Sequence, residues 1–232
     1  QVLEDADIIF YNGLELEGKM SDIFEKMKKE KSVVAIGEVV PKERILNDEA
    51  HPELFDPHIW FDIDVWKIAT QEITKTLAKE FSTNEEQFKE NEVKFFQELD
   101  ELNEWTKERI SEIPKEQRVL VTAHDAFNYF GESNGMEVRG LQGLSTDAEY
   151  GLKDIQNVVN FLVEQNIKAV FIESSVSDKA MNAVIEGAKE KGHTIQIGGE
   201  LYSDAMGAEG TEEGTYIGMY KHNVNTIVDS LK

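Results

Sequence analysis

Apolar positions along the chain alternate between the spacing of buried strands and the spacing of one-sided helices. Near the start, a helix end at residues 2–5 runs into the apolar stretch DIIFYNG, in which Asn12 and Gly13 end the strand. The stretch MSDIFEKMKKEK then has helical spacing, and SVVAIGE is a second short apolar strand. This order of strand, helix and strand predicts a parallel crossover unit.

The middle of the chain contains one long loop and two long helices. Residues 39–62 have no clear period and hold three of the four prolines, so we predict a loop, of a length that is usually functional. Residues 63–81 and 84–113 both have helical spacing. The second helix carries its large apolar residues along one side, at Phe88, Phe95, Leu99, Leu102 and Trp105. A helix of about 30 residues is about 45 Å long, which is enough to brace two lobes.

Short β-branched strands alternate with amphipathic helices after Pro114. The predicted strands are RVLVTA, MEVRG, KAVFIES and TIQIG, and the predicted helices cover residues 125–130, 147–164, 178–191 and 215–231. This alternation predicts parallel strands covered on both faces. The predicted fold class is therefore α/β, with two α/β lobes of mostly parallel sheet joined by one long rigid helix. We assign residues 1–83 to the N-terminal lobe, 84–113 to the linking helix and 114–232 to the C-terminal lobe.

Composition narrows the possible partners. The 232 residues include 46 acidic and 24 basic side chains, a formal net charge of -22, which repels nucleic acids and anionic membrane surfaces. Small cations are the natural partners of such a chain. Because there is no cysteine, disulfides and thiolate metal sites are excluded, and a metal must be held by His, Asp, Glu or backbone oxygen. No apolar run approaches the length of a membrane span.

Four side chains stand where ligand sites form in α/β proteins. In open parallel sheets the site lies beyond the carboxyl ends of the strands. His124 follows VLVTA, Glu173 follows AVFI, and Asp204 comes a few residues after TIQIG. His58 ends the long loop of the first lobe. Imidazole and carboxylate are the ligands left for Zn, Mn or Fe when thiolates are absent.

Each of these residues also has a plain structural interpretation. A lone histidine after a strand is more often hydrogen-bonded or a helix cap than a ligand, and Asp204 alone fits an Asx turn. His51 and His222 look like surface residues. His193, at a helix end, is expected to cap that helix.

An enzyme is the alternative to a binding protein. The chain has no dinucleotide-binding glycine loop, Walker loop, nucleophile elbow or HExxH pair. What remains is a mononuclear metal-dependent hydrolase with ligands His58, His124 and Asp204 and with Glu173 as base. An enzyme needs an open coordination position, whereas a receptor closes around the ion. Under the receptor hypothesis, Glu173→Gln is expected to leave metal binding intact.

Several strings together resemble one family, the solute-binding receptors of ABC importers for manganese and zinc. They occur in the family's order over essentially the whole chain: ADIIFYNGLELE, DPHIWFD, VLVTAHDAFNYF, GLQGLSTDAE, VFIESSVSDKAM and LYSDAMG. The resemblance implies two α/β lobes with a divalent metal buried between them. It places His58 as a first-lobe ligand, His124 as a second-lobe ligand and Asp204 as the carboxylate ligand, and it leaves Glu173 as a structural or supporting residue.

The resemblance also implies a difference from the family. Its members carry a further histidine in a DPHxYEP-like segment before ADIIFYNG, and this chain begins after that point. We therefore expect an incomplete first lobe with three of four ligands and a lower affinity. Within DPHIW, Pro57 fixes the approach of the loop, and Ile59 and Trp60 anchor the next turn, so that His58 is preorganised.

The expected cargo is Mn or Zn. Residues 42–56 hold a single histidine, His51, where zinc-specialised members often carry a His-rich loop, which favours manganese. The nitrogen ligand His124 favours zinc. The implied partner is an ABC permease, and the implied location is extracytoplasmic, as a cell-surface lipoprotein or in the periplasm. The resemblance implies contact with a membrane only through a lipid anchor that this chain lacks.

Overall fold

The computed structural model describes residues 2–48, 51–145 and 150–232, and the chain divides into two compact units, Gln1–Leu99 and Asp100–Lys232. The first unit begins with helix α1 (Val2–Asp5), strand β1 (Ile8–Tyr11), helix α2 (Ser21–Met27) and strand β2 (Ser32–Ala35). β1 and β2 pair in parallel, from Ile8 beside Ser32 to Tyr11 beside Ala35. Buried side chains of both strands and α2 pack together, namely Ile9, Phe24 and Val33. The predicted crossover unit is confirmed.

In its described residues, 36–48 and 51–62, the segment between β2 and the next helix contains only short turns and one isolated bridge between Asn47 and Phe55. A single 3-10 turn covers Ile59–Phe61, with both of these side chains buried. Helix α3 (Ile63–Glu80) begins where the pattern predicts it. The Asp62 carboxylate caps it by accepting hydrogen bonds from the backbone N–H groups of residues 64 and 65.

Helix α4 (Glu85–Ser111) is the long helix predicted for residues 84–113. Its buried positions recur at helical spacing, at Leu99, Leu102, Thr106 and Ile110. The boundary between the two compact units falls within this helix, after Leu99. One continuous helix therefore carries the chain from the first unit into the second.

After α4, the second unit contains four strands and four α-helices among its described residues. The strands are β3 (Val119–His124), β4 (Glu137–Gln142), β5 (Ala169–Glu173) and β6 (Gln196–Leu201). The helices are α5 (Asn128–Asn134), α6 (Leu152–Glu164), α7 (Lys179–Glu190) and α8 (Tyr216–Leu231). β3 pairs in parallel with β4, β5 pairs in parallel with β6, and β3 lies next to β5. This is the predicted α/β arrangement, and it brings the carboxyl ends of β3 and β5 together.

Some predicted boundaries were wrong, most clearly those of α5 and β6. The helix expected at residues 125–130 is α5, which starts later because Asp125 still belongs to the end of the sheet: its backbone N–H donates to Gln142 O (3.1 Å) and its side chain accepts from Gly140 N (2.9 Å). β6 continues beyond the predicted TIQIG to Leu201, although two consecutive glycines, 198 and 199, indicate a turn. The predicted start of α6 at residue 147 lies outside the described residues. No helix in the described ranges is long and apolar enough to cross a bilayer.

Candidate metal centre

His58 is held by its own loop in the first unit. Its side chain is buried, with 1% of its surface exposed. The Asp56 carboxylate, which is also buried, accepts a hydrogen bond from His58 N (2.9 Å), and the same oxygen, Oδ1, lies 2.7 Å from His58 Nδ1. An ionised carboxylate only accepts hydrogen bonds, so the neutral ring carries its proton on Nδ1 and its lone pair on Nε2. The Trp60 ring stands edge-on to this imidazole, at 5.2 Å between centroids.

The loop that carries His58 is tied to the end of β1. The Asn12 side chain donates through Nδ2 to Pro57 O (2.9 Å) and to Gly13 O (3.0 Å). The backbone N–H groups of Asn12 and Gly13 in turn donate to the Glu17 carboxylate, at 2.8 and 3.0 Å. Gly13 has φ +79°, a conformation that glycine adopts without strain. The residue before His58 is therefore fixed by a turn that sequence analysis recognised only as the end of a strand.

His124 is the last residue of β3 and has no exposed surface. The Glu173 carboxylate, at the end of neighbouring β5, contacts it twice: Oε1 accepts from His124 N (2.9 Å), and Oε2 lies 2.6 Å from His124 Nδ1. The Thr122 hydroxyl donates to His124 O (2.9 Å). Sequence analysis left Glu173 as a structural or supporting residue, and the contacts show which side chain it supports.

The other ring nitrogen of His124 faces a second carboxylate. Asp204 Oδ1 lies 3.4 Å from His124 Nε2. Burial lowers the pKa of His124, but hydrogen bonding and charge interaction with Asp204 and Glu173 outweigh burial and raise that pKa to about 10. The metal-free ring is thus a cation at neutral pH, with one carboxylate at each nitrogen. The negative charge that holds the proton on the His124 ring also favours a metal cation in place of that proton.

Asp204 stands on a loop that α8 holds in place. Asn223 on α8 is buried and contacts both backbone groups of Tyr202: its Oδ1 accepts from Tyr202 N (2.9 Å) and its Nδ2 donates to Tyr202 O (2.7 Å). The hydroxyls of Ser203 and Ser175 are 2.6 Å apart. Sequence analysis did not identify Asn223, because an asparagine inside a helix carries no signal of what it contacts across the fold.

The structure brings His124, Asp204 and the predicted support Glu173 together within the second unit, and places His58 with Asp56 in the first. His51 is an exposed residue, as predicted. His222 is half-buried against the Tyr202 ring, and its Nε2 lies 3.0 Å from Glu200 O. His193 contacts the end of α7 as predicted, but through its backbone: its N–H donates to Ala188 O (3.0 Å), whereas its side-chain Nε2 contacts Ile167 O before β5.

Parallel α/β units connected by one long helix, with buried imidazoles fixed by carboxylates at strand and loop ends, are typical of a receptor for a metal ion. The model of one protein family, zinc-uptake complex component A, periplasmic (ZnuA), matches residues 1–230. The chain belongs to this family, and the predicted resemblance is confirmed.

Individual relatives agree with this assignment. The manganese-binding lipoprotein MntA of Bacillus subtilis is 51% identical over 230 residues, which cover 99% of this chain and 75% of MntA. The zinc-binding protein TroA of Treponema pallidum is 43% identical over 99% of this chain and 74% of TroA. The solved structure of TroA matches with a TM-score of 0.96, over 99% of this chain and 82% of that structure. This chain thus spans about three quarters of the length of these two relatives.

Proposed function

We propose that this protein is an extracytoplasmic receptor that captures a divalent transition metal ion and delivers it to the permease of an ABC importer. The observation that carries the proposal is His124, a fully buried imidazole with Glu173 at one nitrogen and Asp204 at the other. Imidazole and carboxylate groups brought together at the end of a buried strand form a site that a divalent cation stabilises. Family membership supports the same function.

The proposed ligands are His58 from the first unit and His124 and Asp204 from the second. His58 and His124 each have a carboxylate at Nδ1, the arrangement that frees Nε2 for a metal. We further propose that residues 1–83 and 114–232 act as two lobes and that residues 84–113 act as the helix between them.

The proposed cargo is Mn or Zn. One relative is called manganese-binding and another zinc-binding, so family membership does not choose between these ions. By the usual order of affinities, nitrogen ligands bind zinc more tightly than manganese. Selection of manganese would then follow from the supply of each ion and from what the permease accepts.

A receptor fits the site better than a hydrolase. The hydrolase hypothesis needs Glu173 as a free base, but both Glu173 oxygens already engage His124. The family is that of a component of a zinc-uptake complex. We therefore propose that the protein is not an enzyme, that its partners are the metal ion and a permease, and that any membrane contact is made through a lipid anchor.

Calorimetric titration of metal-stripped protein with Zn and with Mn tests this proposal. We expect one ion per chain, and we expect His124→Ala to abolish tight binding because it removes a nitrogen ligand. His51→Ala is the matched control, since it removes an exposed histidine from the first unit. Failure of the unaltered protein to bind either ion, or unchanged affinity in His124→Ala, would sink the proposal.

A further inference from the structure

The carboxylates of Asp56 and Glu173 contact their histidines in different ways. Asp56 uses a single oxygen, Oδ1, for both His58 N and His58 Nδ1. Glu173 uses one oxygen for each, Oε1 for His124 N and Oε2 for His124 Nδ1. The Glu173 side chain is fully buried, so water cannot replace either contact.

This difference has a chemical consequence. In Glu173, two accepting oxygens face two donors of His124, its backbone N–H and its ring N–H. A side-chain amide has only one accepting oxygen. A glutamine at this position would place its NH₂ group against a donor in either orientation. The conflict is relieved only if His124 gives up its Nδ1 proton and carries it on Nε2, the nitrogen that faces Asp204.

We propose that Glu173 is a positioning residue that fixes the tautomer of His124, so that Nε2 is the atom that binds the metal ion. This inference rests on the proposed function. It differs from the earlier expectation that Glu173→Gln leaves metal binding intact. It also differs from a purely structural role, in which Glu173 only links the ends of β3 and β5 and its loss lowers stability without changing the affinity of the folded protein.

The test compares Glu173→Gln with the unaltered protein, using zinc ions alone as the probe. We expect zinc affinity to fall by about 10- to 100-fold, the usual effect of removing a partner behind a metal-binding histidine. Glu164→Gln, at the exposed end of α6, removes the same charge and is the matched control. Zinc affinity of Glu173→Gln within about threefold of that control would overturn the proposal.

Nitrogen-15 NMR of the His124 ring shows directly which ring nitrogen carries the proton. In metal-free Glu173→Gln we expect the neutral ring to carry its proton on Nε2, the nitrogen that faces Asp204. A neutral Nδ1–H form in that variant would overturn the inference.

The unaltered protein provides a test that does not depend on the variant folding. In the zinc-loaded form we expect a proton on His124 Nδ1 and the metal on Nε2, and zinc on Nδ1 would overturn the inference. Absence of zinc binding by the unaltered protein is a separate result, which would overturn the proposed function and this role together.

Discussion

Each buried histidine in the proposed site has a carboxylate close to Nδ1. Asp56 serves His58 from two residues away, whereas Glu173 reaches His124 from a different strand. The two solutions differ in sequence separation, but in both the carboxylate contacts the same ring nitrogen, Nδ1. Fixing the ring before the ion arrives reduces the ordering cost of binding.

Metal affinity should depend on pH, because His124 must lose a proton to act as a ligand. Its pKa of about 10 keeps it protonated in the metal-free protein at neutral pH, so each bound ion displaces about one proton from it. We expect zinc affinity to fall about tenfold per unit as the pH is lowered from about 7.5 to about 6.

Calorimetry in two buffers of different ionisation enthalpy measures the displaced protons directly. A binding enthalpy that is the same in both buffers would show that no proton is released and that His124 is not a ligand.

At the scale of elements, the hydrophobic pattern predicts the strands and therefore His124 and Glu173, which stand at strand ends. It does not predict the contacts of Asp56, because the loop around it has no period. It also misses Asn223, whose partner Tyr202 is 21 residues away and is set by how α8 packs on the loop after β6. Contacts between elements depend on packing angles that local periodicity does not encode.

Asn223→Ala tests the connection between α8 and the loop that carries Asp204. The variant leaves the backbone N–H and C=O of Tyr202 without their side-chain partner, at an expected cost of about 1–3 kcal/mol in the free energy of unfolding. We also expect weaker zinc binding, because Asp204 lies two residues further on. Denaturant unfolding and zinc titration measure the two effects.

Asn225→Ala is the control on the same helix, since Asn225 is exposed and accepts a hydrogen bond from Arg109 Nε (3.2 Å). Equal stability and equal zinc affinity in the two variants would show that Asn223 does not hold the loop.

At the scale of the whole molecule, the net charge of -22 favours the approach of cations and disfavours anionic partners. The same excess of negative charge destabilises the folded state, because its acidic side chains repel one another. A bound divalent cation would reduce this repulsion near His124, where the Glu173 and Asp204 carboxylates lie close to the two ring nitrogens.

Metal removal should lower the melting temperature. An ion that binds only the folded protein stabilises it by about 2.7 kcal/mol at a free concentration of 100 times Kd, which corresponds to about 5–10 °C for a chain of this size. Differential scanning calorimetry with zinc and with a chelator measures the shift. Identical melting temperatures under saturating zinc and under chelation would contradict specific binding to the native state.

The two hydrogen bonds from Asn223 to the Tyr202 backbone have a consequence for local unfolding of the protein. The Asn223 side chain makes the two backbone hydrogen bonds that a neighbouring strand would otherwise make with Tyr202. The Tyr202 N–H is therefore protected from hydrogen exchange by a residue of α8 rather than by a strand. When α8 detaches, the Tyr202 N–H loses this partner, and hydrogen exchange at that amide reports the detachment. We therefore expect the loop that carries Asp204 and helix α8 to open as one cooperative unit, so that partial unfolding would release a bound ion before the sheet is lost.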